Sequence, residues 1–269
     1  MTADAHARFS GIDRLYGQGA ATRLARARVC VVGLGGVGSW AVEALARSGV
    51  GHLSLVDADE VCVSNTNRQL HALDGQYGRA KAEVLAERCR AINPGIAVEV
   101  VPSFLTPGNL ESLLDRGFDL VLDACDSFRS KLEMIAWCRR RKLPLVVCGS
   151  AGGRRDATLV RVRDLSRTEQ DALLALVRKQ LRAGFHFPRN PDRYFGVPAV
   201  YSLENVKYPQ RDGSVCGVRP VLAADESLKL DCGAGLGAAT HVTGTFGFAM
   251  AGKGIELLLR PRTSAAEQA

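Results

Sequence analysis

The stretch that decides the fold is Val29-Cys30-Val31-Val32-Gly33-Leu34-Gly35-Gly36-Val37-Gly38. Four apolar residues, three of them β-branched, read as a buried strand, and the glycines break it at once. An Ala-rich pattern with helical spacing continues through Ala46. A second β-like run, His52-Leu53-Ser54-Leu55-Val56, then ends in Asp57-Ala58-Asp59. Strand, glycine turn, helix, strand, acid is the order of a nucleotide-binding βαβ unit. Glycines at 33, 35, 36 and 38 permit a tight turn and close backbone approach to phosphate, where the free N–H groups and dipole of a helix N-terminus favour anions. Asp57 or Asp59 stands where an acid accepts from ribose hydroxyls.

The residues after the acid separate this unit from an ordinary dinucleotide site. Val61 to Gln69 reads Val-Cys-Val-Ser-Asn-Thr-Asn-Arg-Gln, and Lys81 closes a Gly78-Arg79-Ala80-Lys81 turn. A second segment rich in cations and amides, so soon after the first, suits a triphosphate. Arg68 and Lys81 would neutralise charge that develops as pyrophosphate leaves. At Gly33-x-Gly35-Gly36-x-Gly38, Asp57-x-Asp59-x-Val61, Ser64-Asn65-x-x-Arg68-Gln69, Lys81 and Asp123-x-x-Asp126 the chain resembles the E1-like adenylating enzymes. That resemblance implies a Rossmann-like α/β fold: a mostly parallel sheet flanked by helices, with a C-terminal extension. It divides the chain into an ATP-binding unit, residues 1–160, and a subdomain, 161–269, that continues the same fold toward substrate and dimer partner.

At 269 residues the chain is long enough to bury a sizeable core, and 46% hydrophobic with 23% charged residues is the balance of a globular protein in water. The net charge of +7 permits a polyanionic partner without requiring one. Eight cysteines stand at 30, 62, 89, 125, 138, 148, 216 and 232 with no C-x-x-C pair, so no tetra-thiolate zinc site is encoded. Most lie in apolar runs, which fits packed thiols in a reducing cytoplasm. No signal-peptide pattern opens the chain. The apolar stretch Val242 to Leu259 carries Lys253, Glu256 and several glycines, and is expected as a buried or dimer-facing helix rather than a membrane span.

Alternating elements continue through the first half: a helix over Arg79 to Ile92 ending at Asn93-Pro94-Gly95, a strand over Ala97 to Val101, a short helix over Asn109 to Asp115, and a buried strand over Asp119 to Ala124. Asp126 follows that strand. Ligands of open α/β sheets bind beyond the carboxyl ends of strands, so Asp126 is placed to meet a magnesium-triphosphate, or to cap the helix that runs on to Arg141. A strand over Leu143 to Gly149 and a small-residue loop at Ser150 to Gly153 come next. Arg139-Arg140-Arg141-Lys142 reads as a solvated helix end, or, with Arg154 and Arg155, as a phosphate patch. Beyond residue 160 the pattern loosens: a helix over Leu165 to Leu181, a loop over Phe185 to Pro198, a strand over Tyr201 to Tyr208, a turn at Asp212-Gly213, and a frayed tail from Thr263.

The second half narrows the resemblance. No cysteine lies between Cys148 and Cys216, so a thioester-forming crossover has no nucleophile. Along nearly its whole length the chain resembles one branch of the family, the tRNA threonylcarbamoyladenosine dehydratases. The residues are Arg8-Phe9, Thr66-Asn67-Arg68-Gln69-Leu70-His71-Ala72-Leu73, Tyr208-Pro209-Gln210-x-Asp212-Gly213 and Asp231-Cys232-x-x-Gly235-x-Gly237-Ala238-Ala239-Thr240. The branch implies ATP-dependent cyclisation of the modified adenosine at position 37 of tRNA through its threonyl carboxylate. Its implied cofactors are ATP and Mg2+. Its implied partners are tRNA, a second copy of the chain and a sulfur-transfer protein of the cysteine-desulfurase system. The residue roles follow: Arg68 and Lys81 on phosphate charge, Asp57 or Asp59 on ribose, Asn65 and Asn67 on phosphate or the nucleophile, and Asp126 on magnesium. An Arg of the first helix, Arg8 or Arg14, is the candidate to reach a neighbouring subunit's ATP. Cys232 is read as a packed thiol. Three rivals stay open: activation of a sulfur-carrier or ubiquitin-like C-terminus, a non-enzymatic nucleotide-binding relay partner, and, without any use for Ser64 to Gln69, an NAD dehydrogenase.

Overall fold

The computed structural model describes residues 3–210, 212–218 and 236–261. Cys232, the first half of the Asp231-to-Thr240 motif and the tail from Thr263 lie outside the described residues. In chain order the elements are α1 (Ala3–Tyr16), α2 (Ala20–Arg26), β1 (Arg28–Val32), α3 (Gly38–Arg47), β2 (His52–Val56), α4 (Lys81–Ile92), β3 (Ala97–Val101), α5 (Leu110–Leu114), β4 (Leu120–Asp123), α6 (Phe128–Arg140), β5 (Leu145–Cys148), β6 (Val160–Asp164), α7 (Ala172–Gly184), β7 (Pro198–Ser202), β8 (Tyr208–Pro209), β9 (Val215–Cys216) and α8 (Thr240–Leu259).

Seven strands form one sheet in the order β3-β2-β1-β4-β5-β7-β6, parallel except for β6 at the edge, while β8 and β9 pair as a separate hairpin. The central strands are apolar throughout because helices cover both faces. Val29 and Val31 point into one core with α3, α4 and α8; Cys30 and Val32 point into the other with α5, α6 and α7. Residues 160 onward therefore supply β6 and β7 to the sheet and α8 to the α3 face. The edge strand β6 carries Arg161 and Arg163 outward, charge that suits an unpaired edge.

The C-terminal half departs from the sequence expectation. The helix expected over Leu165 to Leu181 begins only at Ala172, since Asp171 caps it by accepting from Leu174 N at 2.9 Å. The strand expected over Tyr201 to Tyr208 instead runs over Pro198–Ser202, so that only Tyr201 and Ser202 of the expected span lie in it and Pro198 closes the segment read as loop. Strand β6, which the sequence reading passed over, is polar on its exposed face and so lacks a continuous apolar run. No helix among the described residues is long and apolar enough to cross a membrane. Helix α8 instead buries Val242, Phe246 and Met250.

Candidate nucleotide site

Strand register builds the site. Val32 is paired with both Val56 and Asp123, so β1, β2 and β4 end side by side and deliver Gly33, Asp57 and Ala124 to one edge. The chain order reverses between β1 and β4, the point where open α/β sheets leave a crevice. Gly33 adopts φ +85°, and a Cβ there would come within 2.8 Å of Cys125 N, so the glycine turn lies directly against the loop that carries Asp126. A Cβ on Gly38 would meet Gly33 O at 1.8 Å. Only glycine closes this turn onto the first residue of α3.

The acids divide their work. Asp57 is buried, and its carboxylate accepts from Leu34 N at 2.6 Å and Asp59 N at 2.8 Å. Burial pushes its carboxyl above the usual range, against the pull of those two donors and of Lys81. Asp57 thus shapes the turn, and of the two candidates it leaves Asp59, half-exposed, to face a ligand. Asp59 Oδ2 accepts from Lys81 Nζ at 2.6 Å, and Lys81 opens α4 with its side chain nearly buried. Arg68 donates to Ser64 O at 2.7 Å and to Asn67 Oδ1 at 3.0 Å, and its stem passes 3.5 Å from a Cβ built on Gly36. The guanidinium has no carboxylate partner among the described residues. The glycine turn, Arg68 and Lys81 are therefore gathered at one end of the sheet.

Other expectations change. Asn65 is buried and its Oδ1 accepts from Cys62 N at 3.2 Å, which fixes the turn that presents Arg68. Asn67 donates to Ala238 O at 2.8 Å. Asp126 is exposed, and the N-cap of α6 is Ser127, whose hydroxyl accepts from Ser130 N. The phosphate patch considered for Arg139 to Lys142 with Arg154 and Arg155 does not assemble. Those segments flank opposite ends of β5, Arg141 is paired with Glu111 at 2.6 Å, and buried Arg154 donates to Gln170 O at 2.8 Å and to Glu204 O. Arg8 is paired with Asp4 at 2.9 Å and also donates to Ile92 O, and Arg14 donates to Ser10 Oγ. Both sit on the outer helix α1.

Four residues given no role by the sequence reading support the site. Trp40 Nε1 and Thr243 Oγ1 both donate to Arg68 O at 3.2 Å, and Thr240 Oγ1 donates to Asn67 O at 2.6 Å, so the first turn of α8 holds the Arg68 loop from across the chain. Beneath Asp126, Lys131 Nζ meets Asp123 Oδ2 at 2.7 Å with both side chains fully buried, while Asp123 Oδ1 accepts from Cys125 N at 3.2 Å. Burial alone would pull the Lys131 ammonium down, but Asp123 beside it holds it above the ordinary lysine value. Thr240 lay within a quoted motif; the others carry no local signal, since Lys131 occupies an ordinary helical position. Gln69 and His71 are also buried here, with Gln69 Oε1 and both His71 ring nitrogens lacking a hydrogen-bond partner. Burial, reinforced by the Lys81 ammonium, pulls the His71 imidazole down to about 4.

Comparison with known proteins gives consistent results. A ThiF family model matches residues 10–265. The chain is 51% identical over 241 residues to the tRNA threonylcarbamoyladenosine dehydratase of Escherichia coli, covering 90% of this chain and 89% of that one. It is 44% identical over 256 residues to the Haemophilus influenzae protein of the same name, covering 95% of each. Among solved structures, the E. coli tRNA N6-threonylcarbamoyladenosine dehydratase in complex with ATP superposes with a TM-score of 0.84 at 44% identity, covering 100% of this chain and 99% of that one.

Proposed function

The chain belongs to the ThiF family, and on that premise we propose that it is an ATP-dependent tRNA threonylcarbamoyladenosine dehydratase. The observation that carries the reading is a glycine turn with two cations, Arg68 and Lys81, gathered around it at the open end of the sheet. The identity with dehydratases along nearly the full chain supports the substrate.

In this reading ATP lies with its phosphates over Gly33 to Gly38 and its ribose toward Asp59. The threonyl carboxylate attacks the α-phosphorus, forming an acyl-adenylate and releasing pyrophosphate. The planar fork of Arg68 and the point charge of Lys81 stabilise charge on the phosphates as the bond breaks. A nitrogen or oxygen of the same modification then attacks the activated carbonyl, AMP leaves, and a five-membered ring closes with net loss of water. Ring closure is intramolecular, so positioning supplies much of the rate. No cysteine nucleophile is required. Magnesium would come with the triphosphate: it binds through one or two carboxylates plus phosphate oxygens, and Asp126 supplies one exposed carboxylate at this edge. The proposal includes a homodimer, with α1 of one copy carrying Arg8 or Arg14 toward the other's ATP, and a sulfur-transfer protein as partner.

The test is to incubate the purified protein with ATP and modified tRNA, digest the RNA and weigh its nucleosides. Loss of one water from threonylcarbamoyladenosine, absent with Arg68→Ala, is the expected result. An unchanged nucleoside together with pyrophosphate exchange on a Gly-Gly-ended carrier protein would instead assign the chain to carrier activation.

A further inference from the structure

Helix α7 carries Arg178, Lys179 and Arg182 and not one acidic residue within Ala172–Gly184. Its core face is Leu174, Val177 and Leu181. The next face round holds the three cations, with small Ala175 and Ala183 between them, and with Arg189 from the following loop they line a concavity of about 380 Å³. Elsewhere on this protein many surface arginines meet a carboxylate: Arg79 with Glu87, Arg116 with Glu99, Arg141 with Glu111, Arg163 with Glu169, Arg260 with Glu256. Around the α7 concavity none of the four cations has such a partner among the described residues. Like charges four residues apart on a helix, as at 178 and 182, destabilise it. Burial and then the neighbouring Arg182 hold the Arg178 guanidinium below its ordinary value, although Asp171 pulls the other way. A surface that keeps such an arrangement is complementary to an anion.

The two half-buried arginines are also fixed in place. Arg178 donates one N–H to Thr168 Oγ1. Arg182 donates Nε–H to Pro188 O at 3.2 Å and lies 5.2 Å from the centre of the Phe195 ring. Each fork is thus pre-oriented with most of its five donors still available, the geometry that binds phosphate bidentately. The helix starts at the catalytic edge, since its cap Asp171 also accepts from Ser150 N at 2.9 Å just beyond β5. Along the helix axis Arg178 and Arg182 lie roughly 9 and 15 Å from that start. A small nucleotide seated over the glycine turn has no use for cations so far down the opposite end of the sheet, but an extended polyanion does.

We propose that the α7 groove formed by Arg178, Lys179, Arg182 and Arg189 is a docking surface for the sugar–phosphate backbone of the RNA substrate, remote from the reacting nucleoside. The inference rests on the tRNA reading above. Its contacts are to phosphate and therefore set affinity and register rather than sequence preference.

The test uses the full-length protein with Lys179→Glu/Arg189→Glu, both exposed positions, and a charge-matched control, Arg26→Glu/Arg90→Glu, on the α2 and α4 surface. The tRNA Kd is measured across a salt series, alongside ATP affinity and dehydration of the nucleoside. Expected for the α7 pair are a roughly tenfold higher Kd and a log Kd against log salt slope flatter by about one per lost contact, with ATP affinity unchanged and the control close to wild type. If wild-type protein dehydrates the nucleoside in tRNA but the α7 pair matches the control, the groove is withdrawn and the enzymatic reading stands. Loss of binding to anionic vesicles with tRNA affinity intact would likewise overturn it in favour of a membrane surface. A wild-type protein that neither binds nor dehydrates modified tRNA removes both proposals.

Discussion

Replacing Lys131 with Met removes one half of the ion pair beneath the Asp126 loop and leaves Asp123 buried without its partner. The two charged atoms are 2.7 Å apart and neither side chain reaches solvent. At an effective dielectric of about 20 their attraction is roughly 6 kcal/mol, largely offset by a desolvation cost of several kcal/mol per ion, so the intact pair contributes little net stability. Breaking one side is different: the surviving carboxylate keeps its desolvation cost and loses the compensation, a loss of about 3–5 kcal/mol. For a domain of this size that lowers Tm by about 6–20 °C and takes a large share of a typical total stability. Urea unfolding followed by circular dichroism measures it, with a lower midpoint and an unchanged slope as the expected signature. The double variant Lys131→Met/Asp123→Asn is expected to recover part of the loss, because no full charge then remains buried. A Lys131→Met protein within about 1 kcal/mol of wild type, or a double variant whose loss equals the sum of the singles, would refute the account.

Further predictions follow from the same geometry. Gly38→Ala puts a methyl 1.8 Å from Gly33 O; isothermal titration should show ATP binding weakened at least tenfold, with stability lowered by about 1–3 kcal/mol. Lys81→Met should lower kcat about 100- to 1000-fold with a smaller effect on the Kd for ATP, as expected for a charge that acts mainly as pyrophosphate leaves. Because His71 is held neutral in the fold, with its imidazole down at about 4 against an ordinary value near 6.5, the unfolded chain takes up a proton first as the solution is acidified. Its contribution is complete above pH 6.5 and is lost as pH falls toward 4, up to about 3 kcal/mol. His71→Leu should flatten that limb of a stability-against-pH curve, and an unchanged limb would assign the acid sensitivity to other groups.

The sequence by itself determined the nucleotide-binding half. Short-range physics writes βαβ units locally: apolar runs buried on both faces, glycines where a Cβ cannot fit, an acid at the end of the second strand. Arg68, Lys81 and Asp59 could be picked out as candidates for a related reason, since each stands in a short segment (57–59, 61–69 or 78–81) whose own composition is that of a phosphate or ribose contact. Only the tertiary structure decided which groups remain free. Asp57 carries the right chemistry for a ligand, yet it is held by the N–H groups of Leu34 and Asp59, the first of which becomes its neighbour only when β1 and β2 pair. The Lys131–Asp123 pair and the clasp of Thr240 and Thr243 on the Arg68 loop join positions far apart in the chain or hidden in ordinary helical spacing. The polar edge strand β6 was missed because half of its pattern faces water. Whether a charged side chain binds a ligand, supports a loop or merely meets solvent depends on what the fold brings within hydrogen-bond distance of it, and that is a property of the packed chain.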